Sequence, residues 1–177
     1  MEALEKEGSD ELSLRLLSER AGVSKTAPYR HFADKEDFLG ALADEGFRLL
    51  YTALEGFAEE GPAGVPAMGR TYMDFAVAHP ALYRLMTSTL ICTLPDDRMT
   101  WARLSLRLLA GSLSGATGEA VEEFDTDATA AAWAYIHGLV LLRIDGLFPD
   151  WLKAPDWDRL ATTLPNLAIP SEGRGAT

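Results

Sequence analysis

Apolar residues recur at three- and four-residue intervals along most of the chain, and no stretch alternates convincingly at period two, so the pattern predicts an all-α protein. The opening "MEALEKEG" reads as the last turns of a helix stopped at Gly8. Ser13 is placed to cap a short helix, "LRLLSERA", in which Leu14, Leu17 and Ala21 share a face and Gly22 ends the run. Ser24 is placed to cap a second short helix from Lys25 to about Phe32, with Pro28 near the end of its first turn. Asp34 should cap a long helix that starts at Lys35, carries Phe38, Leu42, Leu49, Leu54 and Phe57 as its stripe, and closes at "EEGPAG". Helices are expected over Val65 to His79, Ala81 to about Thr89, Arg98 to about Ser114, Thr126 to Phe148 and Asp156 to about Leu164. The tail "PSEGRGAT" is expected to be disordered.

Composition narrows the class. The 177 residues are 47% hydrophobic and 24% charged, which is globular and long enough for a proper core. One cysteine, Cys92, excludes an intrachain disulfide and a cysteine-rich metal site; its apolar surroundings suit a buried thiol. There is no signal-peptide pattern and no run of 18 apolar residues, so a soluble, cytoplasmic protein with no membrane partner is expected.

Net charge is −11, which opposes unspecific binding to a phosphate backbone. The average hides an island. Between Ser13 and Lys35 five basic residues meet two acidic ones, a local +3 that leaves −14 for the rest of the chain. Screening over about 8 Å lets such an island act on its own.

The island coincides with the two short helices and their glycine turn, a helix-turn-helix pattern. A glycine turn between helices is by itself a weak signal; the residues of the second segment strengthen it. Thr26 and Ala27 are small enough to let a helix start approach base edges, and the dipole there favours phosphate. Lys25 can donate to guanine acceptors, while carbons of Thr26, Ala27 and Pro28 can meet thymine methyls. Tyr29, His31 and Lys35 are spaced to line a phosphate track, although Tyr29 and Phe32 could also be core aromatics.

"LSLRLLSERAGVSKTAPYRHFADKEDFLGAL" resembles the DNA-binding segment of TetR-type transcriptional regulators, in the hydroxyl at Ser13, Ala-Gly-Val-Ser, Tyr-x-His-Phe and Lys-Glu-x-x-Leu with Leu39 in the apolar place. "HPALYRLM" and "AWAYIHGLVLL" are similar to the regulatory domain of a TetR subgroup marked by Trp, His and Gly on one late helix. The resemblance implies that Ser24, Lys25, Thr26, Ala27 and Pro28 open the base-reading segment, and that Ser13, Arg15, Tyr29, His31 and Lys35 hold phosphates, with Arg30 beside them. It implies a homodimer built by the last two long helices, a palindromic duplex operator, and a small-molecule effector in the C-terminal domain. The expected division is a reading head over 1–47, a helical ligand-binding and dimerisation domain over 48–168, and a tail over 169–177.

In the body, Tyr72, Phe75, Tyr83, Met86, Trp101, Leu104, Trp133 and His137 combine large apolar surface with a few polar tips, which suits a pocket for an apolar or aromatic effector; each alone suits ordinary core. Trp133 and His137 lie four apart on one helix face. The three histidines, His31, His79 and His137, sit on distant segments, and metal-ligand pairs, a nucleophile elbow and a glycine-rich phosphate loop are all missing from the sequence. No catalytic residue, cofactor or metal is expected, and the chain is expected not to be an enzyme. A repressor relieved by its effector is the leading expectation; a helical ligand-binding or interaction protein that has lost DNA binding is the alternative. That alternative arises from the start of the chain, because TetR-like proteins enter the reading head through a complete first helix. Here a segment of about two turns does so, so either translation begins upstream of Met1 or the head is loosened.

Overall fold

The computed structural model describes residues 1–95, 99–115 and 125–163. Among them the chain is all-α: eight α-helices, three short 3-10 turns and no strand. The helices are α1 (Glu2–Glu11), α2 (Leu14–Ala21), α3 (Lys35–Ala58), α4 (Val65–Ala78), α5 (Pro80–Met86), α6 (Thr100–Ser114), α7 (Thr126–Ile144) and α8 (Trp157–Ala161). They divide between two compact units. Counting the described residues alone, the first holds those of Met1–Ala53 and Phe75–Ser105; the second holds Leu54–Asp74 and those from Leu106 to Thr163.

Local chemistry sets most boundaries. The Ser13 hydroxyl accepts from Leu16 N at 3.2 Å and starts α2, which closes at Gly22. Asp34 Oδ1 accepts from Asp37 N at 2.8 Å and starts α3. Asp125 and Asp156 do the same for Ala128 N and Arg159 N at the heads of α7 and α8. Pro80 separates α4 from α5 and sits at the first position of the latter.

Several expectations need correction. Gly8, at φ 77° and ψ 168°, breaks α1 as expected, but a further helical turn continues to Glu11. Of the expected α3 stripe, Leu54 is buried and the other four members lie beside the buried row. Leu39, Ala43, Leu50 and Leu54 are its buried hydrophobics, whereas Phe38, Leu42, Leu49 and Phe57 are half-buried. Gly40 and Gly46 lie on the same buried row, so its small residues leave little trace in a hydrophobic pattern. Helix α5 stops at Met86, and α7 at Ile144, four residues before Phe148. Cys92, expected to be a buried thiol, is exposed. Arg98, Leu164 and the "PSEGRGAT" tail lie outside the described residues.

In the first unit, Leu4, Leu12 and Leu14 are buried, as are Leu82, Tyr83, Leu85 and Met86 of α5. The Trp101 amide at the head of α6 donates to Asp44 Oδ1 of α3 at 3.2 Å, and its ring lies 5.4 Å from that of Tyr51. In the second unit, Arg70 of α4 pairs with Asp158 of α8 at 3.2 Å. The Tyr135 hydroxyl of α7 donates to the Leu160 carbonyl at 3.1 Å, and Phe148 meets Trp157 edge-on at 5.9 Å.

Candidate nucleic-acid interface

The segment after Gly22 differs from the sequence expectation in one instructive way. No α-helix forms over Lys25 to Phe32; the only helical piece is a 3-10 turn, Pro28–Arg30. Proline is the reason. In an α-helix capped at Ser24, residue 28 would supply the first amide able to reach back to the cap carbonyl, and Pro28 has none. Ala27 N takes the Ser24 carbonyl instead, at 2.9 Å, as a tight turn. Arg30 N then bonds the Ala27 carbonyl at 3.2 Å, while His31 N and Phe32 N share the Pro28 carbonyl, each at 2.9 Å. A three-residue turn carries little macrodipole, so phosphate attraction here rests on side chains.

Those side chains face outward. Ser24, Lys25, Thr26, Tyr29, Arg30 and His31 are exposed, and Ala27 and Pro28 are half-buried behind them. The Ser24 and Thr26 hydroxyls lie 3.3 Å apart. Tyr29 is 58% exposed, so it is not a core aromatic. Phe32 points the other way and packs edge-on against Phe38 of α3 at 5.1 Å and 85°. One aromatic turned inward thus anchors a stretch whose polar tips remain in water.

Ser13 and Arg15 are also exposed. Ser13 spends its hydroxyl on the α2 cap, and Arg15 Nε donates to Glu19 at 3.1 Å. Lys35 is half-buried, and its ammonium donates to the Asp10 carbonyl at 2.8 Å, tying α3 to the end of α1. Arg20 pairs with Glu7 and ties α2 to the same helix. The acidic residues of α1 that hold the head together went unread in the sequence, because their partners lie 13 and more residues away.

The residues expected to meet an effector fall in both units. Phe75, Tyr83, Met86, Trp101 and Leu104 belong to the first; Tyr72, Trp133 and His137 belong to the second. Tyr83 and Met86 are buried, Phe75 packs on His79 at 5.1 Å, and Trp101 and Leu104 are half-buried. Trp133 is 46% exposed, with the half-buried His137 ring 6.1 Å from its own. Burial holds the His137 imidazole below its ordinary pKa of 6.5. The unfolded chain therefore takes up that proton first as pH falls, so the stabilising share of neutral His137 is present above about 6.5 and is lost below it. Thermal melts at about pH 7.5 and about pH 5.5 check this: the parent should lose more stability between them than His137→Gln. Equal losses would mean that His137 titrates as it does in water.

Two family models match the chain. "Bacterial regulatory proteins, tetR family" covers residues 1–42, and "Tetracyclin repressor-like, C-terminal domain" covers residues 65–164. No curated protein matches. Among solved structures, the chain is similar to a protein of unknown function from Rhodococcus sp. RHA1, at 31% identity and a TM-score of 0.71, over 92% of this chain and 86% of that one. It also shares its fold with the TetR family transcriptional regulator PfmR from Thermus thermophilus, at 18% identity and a TM-score of 0.61, over 94% of this chain and 92% of that one.

Proposed function

The chain belongs to the tetR family of bacterial regulatory proteins, a family of DNA-binding transcriptional regulators, and from that premise we propose that it is a dimeric repressor released by a small apolar or aromatic effector. The observation that carries the reading is the outward set Lys25, Thr26, Tyr29, Arg30 and His31, held on a turn whose inward residue, Phe32, locks onto α3. Lys25 and Thr26 would face base edges, and Tyr29, Arg30 and His31 would meet phosphates. The head over 1–47 would read DNA, and the rest would bind the effector and a second copy. Exposed apolar side chains on and after α7 support the pairing: Leu142, Leu147, Leu152 and above all Trp151, at 84% exposure. The reading places the protein's work in the cytoplasm, where operator DNA lies. Among the described residues no helix is long and apolar enough to cross a membrane.

Mobility shifts on DNA flanking the chain's own gene test the reading. Sequence-specific, salt-sensitive binding supports it; turnover of a substrate, or binding of partners with no DNA affinity, would overturn it. Two variants separate the proposed roles. Lys25→Ala should relax base preference at a cost of about 1–3 kcal/mol. Lys35→Ala should weaken binding to all sequences alike and lower the salt slope by about one. Because Lys35 also holds the Asp10 carbonyl, its variant should melt earlier, whereas Lys25→Ala should not. A change of base preference in Lys35→Ala alone would reverse the docking orientation.

A further inference from the structure

Helix α5 begins without a cap of its own. His79 stands at its cap position and makes no side-chain cap bond, and Pro80 contributes no amide. The free amides of Ala81 and Leu82 donate instead to the two carboxylate oxygens of Glu5, both at 3.0 Å. This carboxylate comes from α1, 76 residues earlier in the chain. It is half-buried and sits beside Leu4, which is wholly buried.

Helix α1 is also the hub of the reading head. Glu7 holds Arg20 of α2, and the Asp10 carbonyl holds Lys35 at the start of α3. Phe38, one turn further along α3, carries Phe32 and with it the exposed reading turn. Glu5 is therefore a polar tie that joins this hub to α5.

We propose that Glu5 is a positioning residue for DNA reading: its carboxylate sets the first helix on the start of α5, so that a displacement of α5 is carried through α1 to the reading turn. This rests on the regulator reading above and adds the contact through which that reading head is held in register. Mechanically, two charge-assisted bonds on one rigid carboxylate fix direction as well as distance, which a purely apolar contact at Leu4 does not do. An effector that moves α5 would have to break or drag this tie, and by linkage DNA that favours the tied arrangement would weaken the effector.

A merely structural cap and a positioning tie can be told apart by giving α5 a local cap. Ser is a favoured cap residue, and His79→Ser places a hydroxyl where it can accept from the Ala81 or Leu82 amide. The experiment compares the full chain, Glu5→Ala, His79→Ser and the double variant, by thermal melt and by titration of a duplex that the parent has selected from random-sequence DNA. Glu5→Ala should melt earlier and bind the duplex roughly tenfold more weakly, the scale of losing charge-assisted bonds. Adding His79→Ser should recover the melting temperature but not the affinity. His79→Ser alone should bind as the parent does, and Glu5→Gln, which keeps one acceptor oxygen, should fall between the parent and Glu5→Ala. If the double variant regains both stability and affinity, Glu5 is only a cap and the positioning role is overturned, with the regulator reading intact. If the parent selects no sequence at all, the regulator reading fails and the positioning role with it.

Discussion

Leu4→Ala is expected to destabilise the protein by about 2–5 kcal/mol, the range for emptying a fully buried leucine site. Leu4 is 0% exposed on a helix of ten residues that is broken at Gly8. So short a helix is marginal in isolation, so its order comes from packing and from its ties to α2, α3 and α5. Removing the side chain takes away the apolar half of that attachment and leaves Glu5 to hold α1 without it. For a chain of this length the loss corresponds to a fall in melting temperature of roughly 5–15 °C. Val77→Ala, at a valine 38% exposed on α4 and outside the proposed dimer seam, is the comparison and should cost about 1 kcal/mol or less. Equal melting of the two variants would show that α1 does not dock in solution. Operator binding should fall with Leu4→Ala even where the folded fraction is complete, because the reading turn is held in register through α1.

Gly64→Ala should be nearly as damaging, for an unrelated reason. Gly64 has φ −79° and ψ −17°, a conformation in which alanine is ordinarily at ease. The obstacle is space. A methyl carbon there would overlap the Phe57 carbonyl oxygen and lie 2.9 Å from its carbon. Those are backbone atoms at the end of α3, and the same carbonyl accepts from Glu60 N at 3.1 Å, so it cannot swing aside without opening the turn. A cost of about 3 kcal/mol is expected, at the upper end of ordinary overpacking. Gly56→Ala supplies the opposite sign only eight residues earlier: Gly56 is exposed in the last turn of α3 with nothing within 4 Å of an added methyl, so alanine should stabilise by about 0.5 kcal/mol, the low end of the range for a helix interior. Denaturant melts of both variants check the pair. Shifts of the same sign would mean that the turn after α3 is looser than its geometry.

What the sequence by itself determined are the features that local chemistry decides. Ser13 and Asp34 each find their amide partners three residues away, and Pro80 parts two helices by what it lacks, so the helices and their order were legible. The outward polar set of the reading segment was legible too, through residue types that suit bases and phosphates. Its backbone was not: the expected helix becomes a 3-10 turn because of one missing amide at Pro28, and helical patterning does not register which carbonyl that amide would have met. Much of the buried row of α3 escaped for a related reason: Leu39 and Leu54 were legible as apolar positions, but Gly40, Ala43 and Gly46 mark the row by smallness rather than by hydrophobicity. Only the tertiary structure decided which acidic residue of α1 meets which partner. Glu5 and Glu7 look interchangeable along the chain; one caps α5 and the other pairs with Arg20, because packing at Leu4 turns them to different neighbours. A carboxylate 76 residues from the amides it caps leaves no periodic trace, and the burial of Leu4 on so short a helix follows from the surface it meets, not from the helix itself.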